Sequence, residues 1–214
     1  MGFLLFLATI GGLMLIMMAV QAMISSGQES ARVRSISVVT GVLGRHARKP
    51  GWRQVPDDED VPAGRMGASE RTRRAAVAGT HNGRAVRVAL FTASAPSGTW
   101  QGTPVGWTTM LGLVVAVDAP DLTAILRMNP LQVSSWGYGI SGSMAPAVEG
   151  DTKRKVLAQL ESYQSPAVDV ADGVACFTFT DMDLAEQVDD LVAMAHDVVE
   201  ILVNVRTPNQ PVEE

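Results

Sequence analysis

Charge is missing from the start of the chain. Between Phe3 and Ile24 there is no Lys, Arg, Asp or Glu, and Thr9 and Gln21 are the only polar side chains. At about 1.5 Å per helical residue such a run reaches roughly 33 Å, enough to cross a bilayer core of about 30 Å with some tilt. Residues 1–26 are therefore expected to form a transmembrane helix. Cysteine is nearly absent too: the single Cys176 excludes a disulfide framework and is compatible with a reducing compartment. No Cys closes the apolar run, which excludes a lipoprotein, and Phe6 stands where myristoylation wants Ser or Thr. Met1-Gly2 supplies no basic n-region, so although Val20-Gln21-Ala22 resembles a cleavage site, a retained anchor is expected in place of a signal peptide. Histidine is scarce, and with His46, His81 and His196 far apart and no His/Cys/carboxylate cluster at ligand spacing, a metal centre is not expected.

The segment C-terminal to this run is basic. Arg32, Arg34, Arg45, Arg48, Lys49 and Arg53 stand against Glu29 alone, and the positive-inside rule places that side in the cytoplasm. The same six cations are candidates for contact with anionic lipid headgroups, at about 1 kcal/mol each near the surface. Within the helix, Ala8, Gly12, Ala19 and Ala22 fall on one side, with Ser26 continuing the line and Leu15 interrupting it. A small-residue stripe of this kind lets a partner helix approach closely in lipid, which makes it a candidate helix–helix interface. Gly and Ala are also simply common in membrane spans.

Charge then changes sign. Residues 25–74 carry ten basic and six acidic side chains, net +4, whereas residues 75–214 carry seven and sixteen, net −9. An acidic folded domain argues against a nucleic-acid partner. Residues 27–74 are expected to be a basic juxtamembrane segment and linker. The stretch 31–43 has apolar content suited to either a helix or a strand, and Arg45 to Gly67 is broken by Pro50, Pro56, Pro62 and the acidic cluster Asp57-Asp58-Glu59-Asp60.

Residues 75–206 have the size of one hydrophobic core, leaving 207–214 as a flexible tail. Asn82-Gly83 ahead of alternating Val86, Val88 and Leu90 predicts a hairpin, as does Asp172-Gly173 between 167–170 and 174–180. The apolar run Met110 to Val117 predicts a central strand, and Gln132 to Trp136 suggests a short one. A turn-rich stretch, 137–150, precedes a helix over 152–163 capped by Asp151. From Leu184 to Leu202 the apolar residues form one helical stripe, with Asp181 or Asp183 at its start. The expected class is α+β: a mainly antiparallel sheet packed against a C-terminal amphipathic helix, behind an N-terminal transmembrane helix.

Chemistry is thin. Gly137-Tyr138-Gly139-Ile140-Ser141-Gly142 has the glycine spacing of a dinucleotide-binding turn, but Pro146 and Gly150 spoil the helix that should come after it, so a plain glycine-rich loop is expected. Ser141 lacks the glycine of a nucleophile elbow two residues on, since Ser143 stands there. Cys176 and His196 both fall on apolar elements, where buried Cys and edge-of-core His are commoner than a catalytic pair. No catalytic residue, metal or cofactor is assigned. Trp100, Trp107 and Trp136 lie in Gly/Thr/Ser-rich stretches that suit partner-binding loops, although aromatic rings also cap the open side of a sheet.

One N-terminal span, a basic segment, a strand pair around His81-Asn82-Gly83-Arg84 and an acidic C-terminal helix resemble single-pass membrane proteins of high-GC Gram-positive bacteria, and fourteen Arg against three Lys suit that source. Among such proteins is a respiratory supercomplex associating factor found with the cytochrome bcc–aa3 assembly. The resemblance implies an accessory subunit bound to an integral membrane protein complex of respiratory electron transport, without known catalysis. The rival expectations are an enzyme using the 137–142 loop and a module binding anionic lipid surfaces.

Overall fold

A computed structural model describes residues 29–64, 70–100, 103–130 and 138–205. The proposed span at 3–24 and its stripe of Ala8, Gly12, Ala19 and Ala22 lie outside the described residues. Among those described, no helix is long and apolar enough to cross a membrane. The chain divides into two compact units, 1–38 and 39–214. The first helix, α1 (29–46), settles the choice left open for 31–43. Its second half shows why: Val39, Val42, Leu43 and His46 repeat at the three- and four-residue spacing of one helix face, and all four are buried.

Among the described residues the second unit is built on an antiparallel sheet of eight strands. In chain order the strands are β1 (Arg53–Gln54), β2 (Glu70–His81), β3 (Arg84–Trp100), β4 (Thr103–Asp118), β5 (Leu126–Pro130), β6 (Tyr138–Ser141), β7 (Ala167–Ala171) and β8 (Val174–Phe179). Across the sheet they run β1-β2-β3-β4-β8-β7-β5-β6. Both expected hairpin turns are present. Asn82 and Gly83 have φ of 47° and 84°, and Asp172 and Gly173 have 52° and 74°, the doubly left-handed backbone that matches the twist of paired strands.

Pleating sorts the sheet into two faces. Val86, Val88, Leu90, Leu113, Val115, Val117 and Phe177 are inaccessible. This face meets α3 (Val188–Val203), whose Leu191, Ala195, Val198, Val199 and Leu202 are inaccessible as well, with α2 (Gly150–Glu161) packed beside α3. The other face is lined by small residues, Ala76, Ala78, Ala89, Ala93 and Ala116, together with Phe91, Val114 and Cys176. Val55 and Val61 cover it.

Within the segment expected as linker or long loop, residues 55–63 are therefore not a free tether but lie against the sheet. Two isolated valines among prolines carry no periodicity, yet they are 4% and 6% exposed because the alanines below leave room for an irregular strap. An ion pair and hydrogen bonds to its backbone hold the strap down: Arg53 grips Glu59 through two hydrogen bonds of 2.8 Å, and Arg73 donates to the backbone carbonyls of Pro56 and Glu59. Smaller corrections concern helix starts. Glu149, not Asp151, occupies the N-cap of α2, and Asp151 instead binds Arg154 and Lys155 at 2.9 Å each within the first turn. Leu184 precedes α3 in a 3-10 turn, Met182–Gln187, where the Asp181 carboxylate accepts the Asp183 amide at 2.9 Å.

Candidate functional site

A cleft of about 300 Å³ opens at one end of the sheet. Three local events create it. Strand β8 stops at Phe179 and turns into the 3-10 helix, while its neighbour β4 extends beyond it, back to Thr103. Strand β5 ends at Pro130, forming part of the opposite wall. The chain leaving α2 reverses through Gln164 and Ser165, both left-handed at φ of 57° and 53°, before Pro166 opens the approach to β7. Two consecutive non-glycine residues in that region cost of order 1–2 kcal/mol each. The surroundings fix them: the Ser165 amide bonds the Leu160 carbonyl at 3.1 Å, and the Tyr138 hydroxyl donates to the Pro166 carbonyl at 2.9 Å. Burial pushes the Tyr138 phenol well above its ordinary pKa, so this donor keeps its proton.

The lining decides what the cleft can do. Met110, Pro166, Phe179 and Leu184 supply apolar surface, Asn129 and Thr180 supply polar groups, and Asp181 is the one charged residue among those lining it. Among the described residues no His, Cys, Lys or Arg lines it. With one carboxylate beside apolar surface, the site suits an uncharged or cationic apolar group.

The residues singled out from sequence fall elsewhere. Cys176 sits among the alanines under the strap, with its thiol pushed up to about 11 by burial, whereas His196 lies on α3 beside His81, with ring centroids 5.3 Å apart. They form no pair. Around His196 the Glu200 carboxylate lies 3.8 Å from Nε2 but is held by Arg84 at 2.8 Å, and among the described residues no group of three or more His, Cys, Asp or Glu is placed to hold a metal.

The glycine-rich stretch is not a loop. Tyr138–Ser141 forms β6 and pairs with β5, and Gly142, at φ 108°, leads only to a three-residue 3-10 turn, Ala145–Ala147. A small residue there is required by close packing instead, since a Cβ on Gly142 would lie 2.3 Å from the Ile125 carbonyl oxygen.

Four of the six proposed headgroup cations have carboxylate partners. Arg32 pairs with Glu29 at 3.0 Å, Arg45 with Glu186 at 3.7 Å, Lys49 with Asp189, and Arg53 with Glu59. Arg34 and Arg48 make no ion pair with the described residues. The tryptophans also divide. Trp100 and Trp107 lie in strands, opposite Thr103 and Pro96 across a two-stranded extension, whereas Trp136 is outside the described residues. Trp52 has no role legible in the sequence; its ring meets His46 edge-on at 4.2 Å and covers Gly79, where a Cβ would lie 2.6 Å from it. Sequence reasoning misses the cleft itself, for which Ser165-Pro166 after a helical stripe is the only trace.

Comparison with protein-family models, curated proteins and solved structures finds no match.

Proposed function

We propose that this chain is a non-enzymatic, single-pass accessory subunit that binds a larger membrane complex, and that the complex belongs to respiratory electron transport. The apolar run 3–24 supports the anchor, the cations after it support a cytoplasmic domain, and the resemblance in chain organisation supports the respiratory setting. The observation that carries the binding role is the end of the sheet. Strands β3 and β4 run on together beyond the ladders to β2 and β8, beside a cleft whose chemistry is that of recognition.

The two rival readings have less support. An enzyme using 137–142 would need a phosphate-holding turn where β6 stands. A lipid-surface module would draw on cations of which four are engaged by carboxylates. Purification of the full chain in gentle detergent, with mass spectrometry of the eluate, tests the proposal. Stoichiometric integral membrane subunits are expected to accompany it. A chain that elutes alone and is retained by anionic liposomes would contradict it.

A further inference from the structure

We propose that the partner docks by adding an extended strand to the open edge of β4, with an apolar side chain seated in the cleft; this rests on the accessory-subunit reading. The ladder between β4 and β8 runs from Asp118↔Val174 to Leu113↔Phe179 and ends there. Continued in register, it would set Thr180 opposite Gly112 and Met182 opposite Met110. Met182 instead begins the 3-10 helix, so β8 turns away. Strand β4 does not turn; residues 103–112 stay paired to β3 on their other side. Among the described residues nothing pairs with this edge of β4, which leaves backbone donors and acceptors presented as a template for another strand.

The cleft occupies the line that β8 vacates, since Met110 and Thr180 both border it. Met110 is 42% exposed, a large apolar side chain facing water just before the buried stretch 112–117 of the same strand. Main-chain bonds along such an edge supply affinity, and a pocket for an alternate side chain supplies selectivity. About 300 Å³ accommodates one large apolar side chain. The flanking charge is also set: Asp181 borders the cleft and residues 75–214 carry net −9, so the incoming segment is basic on either side of its apolar anchor.

The test uses the purified full chain in detergent and a phage-displayed library of short random peptides. Enriched peptides are expected to share an apolar residue flanked by Lys or Arg, and to slow amide exchange in residues 109–112 by about tenfold or more at saturation. Met110→Arg, at an exposed position, is expected to weaken them by about tenfold or more, as is replacing their Lys and Arg by Glu. Failure to enrich any peptide, acidic winners, equal binding to Met110→Arg, or protection confined to other segments would each overturn the strand-addition site. Membrane subunits that co-purify equally with wild type and Met110→Arg would overturn it while leaving the accessory role standing. Absence of such subunits despite protection at 109–112 would remove the membrane-complex reading alone.

Discussion

Single residues here carry two kinds of constraint, steric and electrostatic. Gly83 and Gly142 both have positive φ, but a Cβ at Gly83 meets nothing within 4 Å whereas one at Gly142 meets the Ile125 carbonyl at 2.3 Å. Gly83→Ala should therefore cost about 1–2 kcal/mol, the backbone penalty alone, and Gly142→Ala clearly more, because β5 must move. Chemical denaturation of both variants reads the difference. His46 illustrates the second kind. It is 3% exposed, its Nε2 has no hydrogen-bond partner among the described residues, and Asp189 is 3.9 Å away. Burial first and Lys49 second lower its pKa below the ordinary 6.5, against a smaller opposing pull from Asp189. The folded state thus keeps the ring neutral. As pH falls below about 6.5 the unfolded chain takes the proton first, so stability is lost progressively down through the folded pKa. Melting temperature measured from about pH 7 to 5 should fall less steeply for His46→Gln than for wild type; identical slopes would remove His46 from the account.

Elements differ in how plainly the sequence announces them. Asn82-Gly83 and Asp172-Gly173 specify their hairpins because few other dipeptides accept two left-handed residues, and the run to Val117 announces a strand buried on both faces. The strap announces nothing, since Val55 and Val61 are single apolar residues among prolines and acids, and their burial depends on small side chains contributed by strands elsewhere in the chain. The cleft is equally silent: it arises where β8 ends before β4, a relation between strands far apart in the chain. If the strap is part of the core, Val61→Ala should destabilise by roughly 1.5 kcal/mol for the two methyl groups lost. It should also speed exchange of the Val55 amide, which bonds the Ala76 carbonyl at 3.0 Å. A free linker would give no change in either.

At the scale of the whole molecule, an acidic sheet domain follows the apolar run 3–24, and among the described residues the 103–112 stretch of β4 has one edge without a partner strand. The topology is checked at Asp58, exposed on the strap, whereas Gly64 is unsuitable because a side chain there would meet Thr178 Oγ1 at 2.6 Å. Asp58→Cys in intact cells should stay unlabelled by a membrane-impermeant thiol reagent and become labelled after permeabilisation, with little background from the buried Cys176. The α+β class and the hairpins could be read from local chemistry, whereas the edge and its cleft needed the assembled sheet. The central claim is that this edge meets a membrane partner. It is tested most directly by a photo-crosslinking residue placed at Met110 in living cells, with the same residue at Asp172 in the β7–β8 hairpin turn as reference. Crosslinks from Met110 to an integral membrane subunit, without the same product from Asp172, are the predicted result. Crosslinks from neither position, or the same products from both, would contradict the account.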